Sequence, residues 1–231
     1  MLNKFLNKIK NIFSKPKPYK QELLLIKALK EKGFDIRKLK IECDHLYGKN
    51  FVNGVEMGIK YPDSFFRKAN SLVKSDRKYT FYFKGFVDEN GGRNEMLKPF
   101  KDDAKSKIIY TNKGRSQILK DKFDNEYFTE FANSKFGLCP NQLNWPGPTE
   151  HVWTYRFIES CFVSAIPVVF TKTPLGKKFI EGFTVMKDTD FFDSKKPEYN
   201  ILDAKNNLIQ AKNKFLLNEK ECIKIKETLK R

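Results

Sequence analysis

The stretch Lys135-Phe-Gly-Leu-Cys-Pro140, the run from Thr149 to Ala165, and Pro167-Val-Val-Phe170 decide the fold. Lys135 to Cys139 is a short apolar strand, stopped by Pro140, which has no amide hydrogen to offer a ladder. Pro146, Gly147 and Pro148 make Asn141 to Thr149 a structured loop and not a linker. Thr149 is the expected N-cap of a helix through Ala165, and Pro167 to Phe170 is a fully apolar strand. The order is strand, rigid loop, helix, strand.

Outward from this core the alternation continues. Lys78 to Phe86 is aromatic and β-rich and reads as a buried strand ending at Gly85. Asn90-Gly91-Gly92 is a loop, Arg93 to Lys101 a short helix and Ser106 to Tyr110 a second strand. Asp124 caps a helix to Asn133 that places Tyr127, Phe128 and Phe131 on one face. Phe183 to Met186 is a fifth strand, and Asp203 to Leu217 and Lys220 to Lys230 are closing helices. Short apolar strands alternating with helices predict an α/β fold, a Rossmann-like parallel sheet covered on both faces. Such a sheet takes its ligand beyond the carboxyl ends of the strands. That draws attention to Lys84 to Arg93, Pro140 to Thr149 and Phe170 to Gly176.

The amino-terminal third is different. Leu2, Phe5, Leu6, Ile9, Ile12 and Phe13 recur at steps of three and four among lysines. Residues 1–18 thus read as a basic amphipathic helix with a Pro16–Pro18 joint, lying either on an anionic bilayer or on its own domain. Gln21 to Lys32 is a buried helix ended near Gly33, Phe34 to Asn70 holds loops and short strands, and Pro62 opens a helix from Asp63 to Leu72. The organisation expected is this 1–18 segment, a reduced amino-terminal region over 19–75, and the sheet domain with its carboxyl-terminal helices over 76–231.

Among 231 residues, 45 are basic and 28 acidic, a net charge of +17. That favours anionic partners, while a Lys, Asn, Ile and Phe bias fits an AT-rich coding sequence equally well. Only seven of the basic residues are Arg, so base reading or bidentate clamping along nucleic acid is disfavoured. Four scattered cysteines with no C-x-x-C pair, and two histidines, give no zinc signature. No run of eighteen apolar residues spans a membrane, and a reducing cytoplasm is the default compartment, with peripheral attachment to the inner membrane face through residues 1–15.

Arg156 and Glu159 stand three apart on a mostly apolar helix, which puts guanidinium and carboxylate on neighbouring positions of one face. A charge beside so much apolar surface needs a partner. Either the two pair with each other, or Arg156 meets a diphosphate and Glu159 sugar hydroxyls.

Phe136-Gly-Leu-Cys-Pro140, Arg156-Phe-Ile-Glu159 and Ile166-Pro-Val-Val169, in that order, resemble the carboxyl-terminal part of exostosin-like glycosyltransferases and, more widely, the donor half of GT-B glycosyltransferases. Asn141-Gln142 stands where that family often has Gly, and Ser164-Ala165 where it has Gly-Cys. The resemblance implies a nucleotide-sugar donor site in residues 76–231, with 19–75 as a reduced acceptor-side region. Arg156 would face the diphosphate and Glu159 the ribose. Pro140, Asn141 and Thr149 would line the site, and Lys84, Gly85 and Arg93 would match the earlier strand-end loop. It also implies no cofactor and no bound metal, the leaving diphosphate being neutralised by helix dipole and basic groups. Asp188-Thr189-Asp190 has Asp-x-Asp spacing but reads as a turn.

His151 is the candidate catalytic base, while a surface or packing role is the plainer reading. Asp44, Glu56, Asp88 and Glu89 are loop carboxylates without geometric support. Trp145 and Trp153 suit a sugar or base face, or core filling for Trp153. The expected activity is sugar transfer to a glycan or glycolipid acceptor of lipopolysaccharide or capsule type. The alternatives are a catalytically inactive transferase-like partner and a basic nucleic-acid-binding protein.

Overall fold

The computed structural model describes residues 18–87, 92–112, 122–143, 147–192 and 197–230. The expectations for the 1–15 helix, Asp88, Glu89, the Asn90-Gly91 loop, Trp145 and Pro146 lie outside the described residues.

The chain opens with α1 (Lys20–Glu31), which buries Leu24, Leu25, Ala28 and Leu29 and stops before Gly33 at φ 81°. A three-stranded antiparallel sheet follows, β1 (Ile41–Asp44), β2 (Lys49–Val52) and β3 (Val55–Glu56). Asn53 and Gly54, both at positive φ, form the two-residue turn between β2 and β3. After α2 (Asp63–Asn70) the second sheet begins. Its elements are β4 (Tyr79–Phe86), α3 (Arg93–Lys101), β5 (Lys107–Thr111), α4 (Asn125–Ala132), β6 (Ser134–Leu138), α5 (Tyr155–Phe162), β7 (Ile166–Val169), α6 (Lys177–Ile180) and β8 (Met186–Lys187). Two helices close the chain, α7 (Ile201–Phe215) and α8 (Glu219–Thr228).

All neighbours in the second sheet are parallel, in the order β5-β4-β6-β7-β8. By appearance this is a 2-1-3-4-5 order, which reverses direction between β4 and β6. Crossovers of one hand then require helices on opposite faces. Accordingly Phe81, Phe83, Phe136, Leu138, Ile166 and Val168 pack with Met96, Leu97 and Phe100 of α3 on one face. Tyr82 and Val169 pack on the other, with the aromatic rows of α4 and α5. The chain therefore has the expected mixed α/β architecture, a parallel sheet flanked by helices.

A third core is built from distant parts of the chain. Leu25, Ala28 and Leu29 of α1, Val52 of β2 and Met57 meet Leu217 and Ile225 at the carboxyl end. Buried Lys60 holds that junction together, its ammonium donating to the carbonyls of Lys214 and Leu216 and pairing with Glu221 at 2.7 Å. At the amino ends of the strands, buried Arg77 donates to the carbonyls of Ala132, Ser134 and Val163.

Two boundaries differ from the sequence reading. Thr149 to His151 form a single 3-10 turn, Val152 to Thr154 are extended, and the helix begins only at Tyr155. The Gly176 amide donates to the Val152 carbonyl at 2.8 Å, and Trp153 is pinned elsewhere, so a helix cannot start before them. Thr149 is thus not the cap of α5. The last strand falls on Met186–Lys187, because Phe183 turns inward against Phe157 and Phe215.

The close approach of α5 to β6 depends on Gly137. A Cβ there would overlap the Ser160 hydroxyl and stand 2.7 Å from the Phe131 ring. Gly137→Ala should therefore cost about 1–3 kcal/mol of unfolding free energy in urea titration, as overpacked cores do.

Candidate functional site

The pairing of β4 with β6 ends at Tyr82 and Gly137, whereas that of β4 with β5 continues to Phe86 and Thr111. Beyond Tyr82 the strands on either side of the switch in strand order are no longer paired, the position at which an open sheet of this kind forms its crevice. Arg156, in the first turn of α5, fills it. Its guanidinium lies 4.4 Å over the Phe83 ring, and Nη1 donates to the Pro140 carbonyl at 3.4 Å. Gly85 makes room for it, since a Cβ at that position would overlap Nη2. Arg156 is half-buried and Thr154 provides no side-chain cap to α5, so a positive group and the start of a helix share the crevice.

Arg156, Gly85 and Pro140 are therefore together. Arg93 joins them at the end of β4, where Nη1 donates to the Phe86 carbonyl at 3.0 Å. Lys84 turns aside and pairs with Glu126 of α4 at 3.1 Å. Asn141 is buried and serves as a brace. Its amide hydrogen goes to the Thr173 hydroxyl, Nδ2 to the Trp153 carbonyl, and Oδ1 accepts from the Gln142 amide. Thr149 is exposed on its 3-10 turn. His151 rests on the Tyr47 ring, 4.8 Å between centroids.

Trp153 is a packing residue here and not a sugar platform. It is buried, and its indole donates to the His45 carbonyl at 3.0 Å. Asp188 and Asp190 belong to a 3-10 turn, accepting from the Thr171 and Lys187 amides. Asp44 accepts from the Tyr47 amide and Glu56 pairs with Lys49. Among the described residues no three His, Cys, Asp or Glu side chains converge as a metal site, and no helix is long and apolar enough to cross a membrane. Cys139 and Cys161 are core residues, and burial pushes the Cys139 thiol up to about 12.

Glu159 is the largest departure from expectation. It is fully buried, with Oε1 paired to Lys20 of α1 at 3.0 Å and accepting from the Tyr61 hydroxyl, and Oε2 accepting from the Tyr127 hydroxyl at 2.9 Å. It does not reach the strand-end crevice. Three residues of helix move a side chain about 4.5 Å along the axis. Arg156 thus emerges at the carboxyl ends of β4 and β6 while Glu159 sits one level deeper, beside α1, α4 and Tyr61. The sequence reading placed neither Lys20 nor Tyr61 at Glu159. A fully buried carboxylate needed a cation and hydroxyl donors, but nothing in the spacing said which.

A parallel sheet flanked by helices, with its strand order switching between β4 and β6, is consistent with a GT-B-like fold. The chain matches the family described as RXYLT1 C-terminal domain over residues 61–183, more than half its length. It belongs to that family, which is related to the exostosin glycosyltransferases. The match begins at Tyr61, one of the groups that hold Glu159, and runs through α2 to Phe183. No curated protein is significantly similar to the chain.

Removing the Lys20 ammonium takes a paired cation away from the buried Glu159 carboxylate. Lys20→Met should lower the unfolding free energy by about 3–5 kcal/mol in urea titration.

Proposed function

We propose that the chain is a glycosyltransferase that moves a sugar from a nucleoside-diphosphate sugar to the hydroxyl of a surface-glycan acceptor, of lipopolysaccharide or capsule type. The observation that carries this reading is Arg156, whose guanidinium enters the crevice between β4 and β6 beside Gly85 and Pro140. Membership of a glycosyltransferase-related family gives the crevice its chemical context. Ligands of open α/β sheets bind at such reversals, and phosphates favour helix starts.

In this reading the donor diphosphate lies across the strand ends. Arg156 meets its oxygens bidentately and stabilises the charge that grows on them as the glycosidic bond breaks. Arg93, at the end of β4, supplies a second positive charge to the same end, and Lys84, held by Glu126, contributes to the field and not to contact. Pro140 and Asn141 set the floor, and Thr149 lies at the outer edge. The ribose hydroxyls are met by groups other than Glu159, whose carboxylate is enclosed. His151 remains the candidate base for the acceptor hydroxyl. Residues 1–15 would hold the protein at an anionic membrane surface on its cytoplasmic side. A second reading is a transferase-like subunit that holds a donor through Arg156 without turning it over.

Thermal unfolding in the presence of UDP, GDP and their sugars tests donor binding. A ligand at a hundred times its Kd stabilises by about 2.7 kcal/mol, which a shift in Tm reports. Stabilisation by at least one of them is expected, lost in Arg156→Ala. Gly85→Ala should weaken it, because a Cβ there takes the place of the Arg156 Nη2 and crowds the Phe83 ring at 3.2 Å. Transfer activity should fall about a hundredfold or more in Arg156→Ala, the cost of deleting one charge-stabilising donor. No stabilisation by any of these nucleotides would sink the reading, and stabilisation without turnover would select the second one.

A further inference from the structure

The chain contains two histidines, His45 and His151, and the fold lays both on tyrosine rings around the turn between β1 and β2. His45 stacks on Tyr19 with centroids 4.7 Å apart and planes within 5°, and meets Trp153 edge-on at 5.3 Å. His151 leans on Tyr47 at 4.8 Å. The base of this cluster is fixed. Trp153 donates to the His45 carbonyl, and Gly48, at φ 62°, leaves the space the indole occupies, since a Cβ there would stand 2.9 Å from Cδ1. Asp44 ties down the Tyr47 amide.

The outer rings are not buried by this scaffold. Tyr19 is 52% exposed, Tyr47 38%, and Leu46 between them 39%. Held aromatic surface left in water is a mark of a binding surface. Its position follows from hydrogen bonds already described. Asn141 donates to the Trp153 carbonyl, and Pro140 beside it accepts from Arg156, so the cluster stands at the same end of the molecule as the crevice.

We propose that Tyr19, Tyr47, His45 and His151 form a carbohydrate subsite that receives the acceptor glycan. This inference deepens the transferase reading and rests on it. A pyranose has apolar C–H faces that cover aromatic rings, and hydroxyls at its rim that suit imidazole nitrogens and phenols. Charge around the cluster favours an uncharged glycan over a phosphate-rich polymer or bilayer, because Asp44 on the turn and Glu150 beside His151 are both exposed carboxylates. Burial holds the His45 imidazole below its ordinary pKa, which disfavours a positive charge on it.

Saturation-transfer NMR on the full chain, with the methyl glycosides of glucose, galactose, mannose and N-acetylglucosamine at millimolar concentration, tests this. Transfer to ring C–H protons is expected for at least one glycoside. It should fall about fivefold in Tyr47→Ala, persist in Tyr47→Phe, which keeps the ring, and be unchanged in Arg156→Ala. Tyr19→Ala, at a separate exposed ring, gives a second variant should Tyr47→Ala not fold. Nucleotide stabilisation should survive Tyr47→Ala, so failure of the donor reading and failure of this subsite give different results. No transfer from any glycoside, or transfer unaltered by Tyr47→Ala and Tyr19→Ala, overturns the proposal. So does binding to phosphatidylglycerol vesicles that depends on Tyr47 in the absence of glycoside binding.

Discussion

A parallel sheet that is built first in one direction and then in the other cannot cover its middle. Crossovers of a single hand send α3 to one face and α5 to the opposite one, so the connections leaving β4 and β6 diverge. The crevice between them is therefore a product of topology and not of any particular loop. What distinguishes this chain is how that opening is furnished. The first turn of α5 delivers a guanidinium, a glycine on β4 gives it passage, and Phe83 and the Pro140 carbonyl receive it. Replacing any of these changes the lining of the crevice without touching its cause.

The same helix performs a second task one level lower. Glu159 ties α5 to α1 through Lys20, to the segment before α2 through the Tyr61 hydroxyl and to α4 through the Tyr127 hydroxyl. A buried ion pair contributes little net stability compared with a well-packed apolar substitute, but it is unforgiving of misplacement. Its value here lies in register. Helix α5 can hold Arg156 at the carboxyl ends of β4 and β6 only if it does not slide or rotate, and a carboxylate anchored to Lys20, Tyr61 and Tyr127 resists both.

Sheet and helices were legible because their residues speak locally. The aromatic run of β4, the Asp124 cap of α4 and the apolar Ile166–Val169 strand each state their conformation within a few positions. The α5 boundary was not, because Val152 and Trp153 are held extended by Gly176 and by His45, residues far away in sequence. Arg156 was legible as a candidate from its type and spacing. The fate of Glu159 was not, since an i,i+3 spacing fixes angle but not depth. Asn53-Gly54 between two valines is a strong hairpin signal, and it makes a two-residue turn within a region predicted only as loops and short strands. The tyrosine and histidine cluster had no sequence signal at all, because Tyr19, Tyr47 and His151 come from three separate segments.

The third core, which joins α1 and the β1–β3 sheet to Ile225, also bears on how the chain is made. Leu25 emerges from the ribosome about 200 positions before the residue that completes its packing, a wait of roughly 10–40 s at ordinary rates of synthesis. During that interval Leu25, Leu29 and Val52 have no permanent cover. A nascent chain of this kind keeps part of that apolar surface open to solvent until synthesis reaches α8.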